Sequence, residues 1–170
     1  MNKQRGFSLI ELLIVVAIVL IIAAIAIPIL LRSKIAANES SGVASLRTIN
    51  TAETTYSAIW GFGYAAAIDN LGGPAPCVIA TAGAACIIDP SLSVAPYTKS
   101  GYAFDAKGNT PAGSGNSGFE VNATPVAVDV TGKRAFCSDQ TGVLRANTTG
   151  VKIGTGAGAC ATVLTLIVGN

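Results

Sequence analysis

The 170-residue sequence contains no histidine. That excludes every His-dependent catalytic triad and every histidine metal site. Charge is scarce too, with eleven basic and nine acidic side chains. Two of the basic ones, Lys3 and Arg5, fall in the first six residues, and without them the counts are equal. A chain so nearly neutral offers no broad positive surface for nucleic acid. Aromatics are few, and Tyr56, Trp60, Phe62 and Tyr64 fall together where a helix is read to end. They read as packing at that end rather than as an electron-transfer path. The Gly-rich stretch Gly108 to Gly118 lacks the Lys and the following helix of a phosphate-binding loop. Asp105 and Ser138-Asp139 read as isolated turn residues. Asn38-Glu-Ser40, Asn122-Ala-Thr124 and Asn147-Thr-Thr149 match the glycosylation pattern only as an Asn/Thr-rich chain does by chance. The residues therefore point away from an enzyme, and no cofactor, metal or small-molecule substrate is expected.

What the chain does have is one long apolar run. From Phe7 to Leu31 it is almost wholly Leu, Ile, Val and Ala, and Glu11 is its single charge. At 1.5 Å per helical residue the run reaches roughly 37 Å, enough to cross a hydrocarbon core of about 30 Å. Small residues at Ala24 and Ala26 are followed by more apolar sequence, so an ordinary signal-peptide cleavage site does not fit. Glu11 has two readings. At the interface it complements the helix N-terminus, worth about 0.3–1 kcal/mol. Deeper in lipid it is costly until it meets a partner. Pro28 removes one backbone hydrogen bond near the end of the run, so a kink or local melting is expected there.

Met-Asn-Lys-Gln-Arg-Gly, then Phe-Ser-Leu-Ile-Glu, then the apolar helix with Pro28, resembles the N-terminus of type IV prepilins. The resemblance covers about the first fifth of the chain, and Ser8 stands where Thr is common. It implies cleavage between Gly6 and Phe7 by a membrane prepilin peptidase that also methylates the new N-terminus, Phe7. It implies that Glu11 pairs with the Phe7 amine of a neighbouring copy during assembly on an inner-membrane platform. A glycine beside the scissile bond leaves the backbone open to a protease. Lys3 and Arg5 favour a cytoplasmic N-terminus, but Arg32 and Lys34 balance them beyond the run, so orientation rests on the resemblance.

Beyond the run, Val43, Leu46, Ile49, Ala52, Tyr56 and Ile59 recur at steps of three and four, with Ser45, Arg47, Asn50, Glu53 and Thr54 opposite. One long bent helix is therefore expected over 7–60, closed by Gly61-Phe62-Gly63. Gly42 is a weak spot in it, at about 1 kcal/mol relative to Ala. Residues 61–100 read as a long connection without period. Alternation at Tyr102–Ala106, Phe119–Ala123, Arg134–Ser138 and Gly142–Ala146 predicts a small antiparallel sheet of three or four strands over 101–146, with Gly108–Gly118 as a turn. Pro125 limits pairing of its strand. A C-terminal loop and tail occupy 147–170. The fold class is α+β: a long helix packed on a sheet head, which is what the resemblance also implies.

Four cysteines allow three pairings. Cys77–Cys86 and Cys137–Cys160 are favoured because each closes a local loop on an exported surface, where disulfides persist. Buried free thiols are the alternative, and the spacing fits no zinc pattern. The tail Val163–Val168 is apolar and β-prone, a further strand or a contact between copies. The resemblance implies a subunit that polymerises with copies of itself into a surface filament for adhesion, motility or DNA uptake. It starts in the inner membrane and ends outside the cell. The alternatives are a pseudopilin of a type II secretion machine, or a membrane-anchored binding domain that never polymerises.

Overall fold

The computed structural model describes residues 7–74, 76–112, 115–154, 156 and 158–162. The leader expected at 1–6 and the apolar tail Val163–Val168 lie outside the described residues. The chain divides into two compact units, Met1–Lys34 and Ile35–Asn170.

Helix α1 runs from Leu9 to Trp60. It continues through Pro28 instead of melting there. One missing N–H removes one bond, and the Ile, Leu and Ala neighbours, good helix formers or apolar fillers, sustain the rest. The Gly61 N–H donates to the Ser57 carbonyl at 3.0 Å, and Gly61 and Gly63 adopt the left-handed backbone expected of a helix end.

Within the second unit α1 buries Glu39, Gly42, Ser45, Leu46, Ile49, Ala52, Glu53 and Tyr56. The expected stripe is thus corrected: Ser45 and Glu53 turn inward, and Ile59 is 60% exposed. The cause is what α1 packs against. A Cβ on Gly42 would lie 3.1 Å from the Tyr102 ring, and Tyr102 is fully buried with its hydroxyl donating to the Arg134 carbonyl at 2.8 Å. The weak spot in the helix is the seat of that ring.

The sheet is a five-stranded antiparallel meander, ordered as in the chain: β1 (Thr98–Lys99), β2 (Tyr102–Ala112), β3 (Gly115–Pro125), β4 (Ala135–Asp139) and β5 (Arg145–Asn147). Single helical turns, α2 (Ile68–Leu71) and α3 (Pro90–Ser93), punctuate the connection before it. Leu46, Ile49 and Tyr56 meet Tyr102, Phe104, Phe119, Val121 and Phe136 in one core.

The sheet has a strand more than the three or four expected, because β1 lies before residue 101, and three further details of the head differ from expectation. The Gly108–Gly118 turn is instead mostly paired strand, with Gly108 opposite Phe119 and Ala112 opposite Gly115. These glycines serve close approach. A side chain at Gly115 would collide with the Phe62 carbonyl, and one at Gly108 with Asn116 and the Ala65 carbonyl. The hairpin can therefore lie on the post-helix segment, where the Tyr64 N–H donates to the Asn116 carbonyl at 3.0 Å and Asn116 Nδ2 returns a bond to the Tyr64 carbonyl at 3.1 Å. Asp105, Ser138 and Asp139, expected in turns, stand in strands: Asp105 in β2 with Lys152 Nζ at 2.8 Å, and Ser138 and Asp139 buried in β4. The last strand begins at Arg145, not Gly142.

Cys77–Cys86 and Cys137–Cys160 are both bonded, with Cα separations of 5.7 and 5.8 Å. The second bond draws the C-terminal segment over the outer face of the sheet, where Cys137, Ile153 and Cys160 form a small cluster. Glu120, on that face of β3, accepts the Cys160 N–H at 3.0 Å. Burial pushes the Glu120 carboxyl up, against the N–H groups of Cys160, Ala159 and Gly156.

A long-range clamp fixes α1 to the head. The Glu39 carboxylate accepts the Lys133 and Arg134 N–H groups at 2.9 and 3.1 Å, and Arg134 Nε and Nη2 at 2.9 and 2.7 Å. Burial raises the Glu39 carboxyl, but the Arg134 side chain and the two N–H groups outweigh it and hold the pKa below the usual range. Glu39→Ala leaves two backbone donors without their acceptor and is expected to cost about 3 kcal/mol, at the upper end for bonds to a charged group. Chemical unfolding of the full chain in detergent, followed through Trp60 fluorescence, measures it. A loss under about 1 kcal/mol would show the clamp to be ornamental.

Candidate functional site

The site begins where α1 begins. Ser8 precedes the first helical residue and Glu11 is three positions on, a Ser-x-x-Glu spacing. The Ser8 N–H donates to Glu11 Oε2 at 3.0 Å, and the Leu12 N–H donates to the Ser8 carbonyl at 3.2 Å. This is one arm of a capping box, which satisfies an N–H that the helix itself leaves unpaired. A carboxylate here also meets the positive end of the helix dipole. In a single chain, then, Glu11 is held by its own helix. The spacing was in the sequence, but the helix start that gives it meaning was not.

Phe7, just before the cap, is 79% exposed. From Leu9 to Leu31 every large apolar side chain is exposed, including Ile14, Ile18, Ile21, Ile25 and Ile29. An apolar surface of that extent must be covered by lipid or by other chains. Arg32 and Lys34 end the run.

Residues 1–27 match the prokaryotic N-terminal methylation motif. This is the type IV prepilin leader signature, and it indicates a type IV pilin-like or pseudopilin protein. The methylation motif implies processing by a prepilin peptidase and assembly into pilus-type filaments. With the apolar helix behind it, it implies membrane anchoring before assembly. The match stops one residue short of Pro28, so the head is known from its structure. No solved structure matches the chain.

Of the residues singled out in the sequence, Gly6 lies outside the described residues. Phe7 and Glu11 stand together at the helix N-terminus, and Pro28 lies further along the same apolar helix. The two disulfides belong to the head. The aromatics pack as expected: the Tyr56 and Trp60 rings stack at 4.9 Å, and Tyr64 meets Phe119 at 4.8 Å. Two details escaped sequence reading: the Ser8 N–H bond to Glu11, where only the helix-dipole role was legible, and the burial of the Glu53 carboxylate.

Proposed function

We propose that this chain is the structural subunit of a type IV pilus, and that it polymerises through the first half of α1 into a surface filament. The observation that carries the reading is the fully exposed apolar helix with one carboxylate at its start. A plain anchor needs no charge there, whereas a subunit that must find register against copies of itself does. Cleavage after Gly6 frees an amine on Phe7, which methylation leaves positive. Before assembly, Glu11 rests on the Ser8 N–H and Phe7–Leu31 lies in the inner membrane. On entering the filament the apolar helices cover one another, and Glu11 takes a neighbour's Phe7 amine in place of its own cap. An amine–carboxylate pair removes the unpaired charge that would oppose burial. Pro28 supplies a point where the helix can yield as the subunit leaves the bilayer, since one bond is already missing. Disulfide bonds in the head suit its export.

Mass measurement of the subunit in filaments sheared from cells tests the reading. The expected subunit begins at a methylated Phe7, and Gly6→Leu is expected to leave full-length precursor in the membrane with no filaments. Filaments built from uncut chains would overturn the cleavage site. A subunit that matures but yields only lone molecules would overturn polymerisation.

A further inference from the structure

Resting on the filament reading, we infer that the disulfide-closed loop Cys77–Cys86 of one copy docks on the valine loop 126–130 of the next.

Among the described residues of the head, two groups of exposed apolar side chains stand out beside the exposed Ile59, Phe62 and Val94. The first is the tip Val78-Ile79, 81% and 76% exposed. It is held stiffly: Cys77 and Cys86 close the loop, Thr81 and Ala84 exchange N–H···O bonds of 3.0 Å, and the Tyr56 hydroxyl donates to the Ala82 carbonyl at 2.8 Å. The second comprises exposed Val126, Val128 and Val130, with Val151 beside them because Gly150 lies against Val128. That loop is fastened to α1 by Asn38 Nδ2 on the Thr131 carbonyl at 2.9 Å and by Glu39 on the Lys133 N–H.

The anchors fix the geometry. Asn38 and Tyr56 stand on the same helix, about 27 Å apart at 1.5 Å per residue. The two surfaces are therefore tied to opposite ends of the head's stretch of α1 and do not cover each other within one chain. They are also different surfaces. A contact between them is head-to-tail, and repeated it builds an open array instead of closing a dimer.

Charge and area both fit a second copy. No charged residue lies between Leu71 and Ile88, and Asp129 is the only one in 126–130, so docking strips water from little charge. The six side chains offer on the order of 600 Å² together, short of the roughly 1,200 Å² of a stable free complex. The contact cannot hold two solitary chains. It counts where bundled helices already raise the local concentration of heads.

The test uses the full chain expressed in cells. Val128→Lys and Ile79→Glu, both at exposed positions, are each expected to cut sheared-filament yield at least tenfold with membrane levels unchanged. The double variant is expected to restore it. Separately, Ile79→Cys with Val128→Cys in one chain is expected to give an oxidised ladder in filaments and none in detergent-solubilised subunits. If the unaltered chain makes no filaments, the filament reading itself fails. If it does and the single variants match its yield, or the cysteine pair forms no ladder, the docking alone is wrong.

Discussion

Glu11→Val is expected to leave leader cleavage and membrane insertion intact and to abolish filaments. Valine is apolar and tolerated in helices, so it makes the run more membrane-like, not less. It gives up the bond from the Ser8 N–H, a cap worth about 1 kcal/mol, which a helix held in lipid survives. The larger loss comes on assembly. Removing one member of a buried ion pair costs about 3–5 kcal/mol, because the remaining charge is left alone. In the proposed pairing that charge is the Phe7 amine, and the loss recurs at every subunit added. At 1.4 kcal/mol per factor of ten, each addition weakens at least a hundredfold.

Glu11→Gln separates the two roles. A glutamine oxygen still accepts the Ser8 N–H, so the cap survives, but it cannot neutralise an amine. Loss of filaments in both variants, with mature subunit present in the membrane, supports the pair. Filaments from Glu11→Gln at the unaltered level would reduce Glu11 to a helix cap.

The parts of this fold that were legible are those written in local pattern. An apolar run of membrane length, alternation in Tyr102–Ala106 and Phe119–Ala123, and the glycines after Trp60 each carry their own physics. The misreadings share a different origin. In the sequence Gly108 and Gly115 suggest backbone freedom, but they work by leaving room for Phe62 and Ala65. That need exists only once the hairpin lies on the post-helix segment. By propensity Gly42 only costs the helix, but its worth lies in the Tyr102 ring it admits. Glu39 finds Arg134 across 95 positions, a separation that leaves no periodic trace. At the site, the Ser8–Glu11 spacing was visible, yet it reads as a cap only when the helix is known to start at Leu9. By sequence pattern Glu53 belongs on the wet side of α1, because carboxylates usually do.

That misplacement leads to the second large effect, a loss of stability as pH rises. Glu53 is fully buried on α1, well past the membrane run that ends at Leu31. Its Oε2 accepts the Ala65 N–H at 2.9 Å, and its Oε1 has no partner among the described residues. Burial pushes its pKa up to about 7, against the Ala65 bond. In the unfolded chain the same carboxyl titrates near its ordinary value of 4.5. Between those values the folded state keeps a proton that the unfolded state has released. Stability is therefore full below about pH 4.5, falls as pH rises toward 7, and levels off above. The span corresponds to about 3 kcal/mol at 1.36 kcal/mol per unit. Glu120, also raised, adds to the slope with the same sign. Glu39, lowered, acts with the opposite sign and only in acid. Glu53→Gln stays neutral and keeps an acceptor for the Ala65 N–H, so its loss of stability between pH 5 and pH 8 is expected to be clearly smaller than that of the unaltered chain, with Glu120 supplying what remains. The unaltered chain is expected to be weaker at pH 8. Equal slopes in the two proteins would mean that Glu53 is ionised in the fold, with a cation beside its carboxylate.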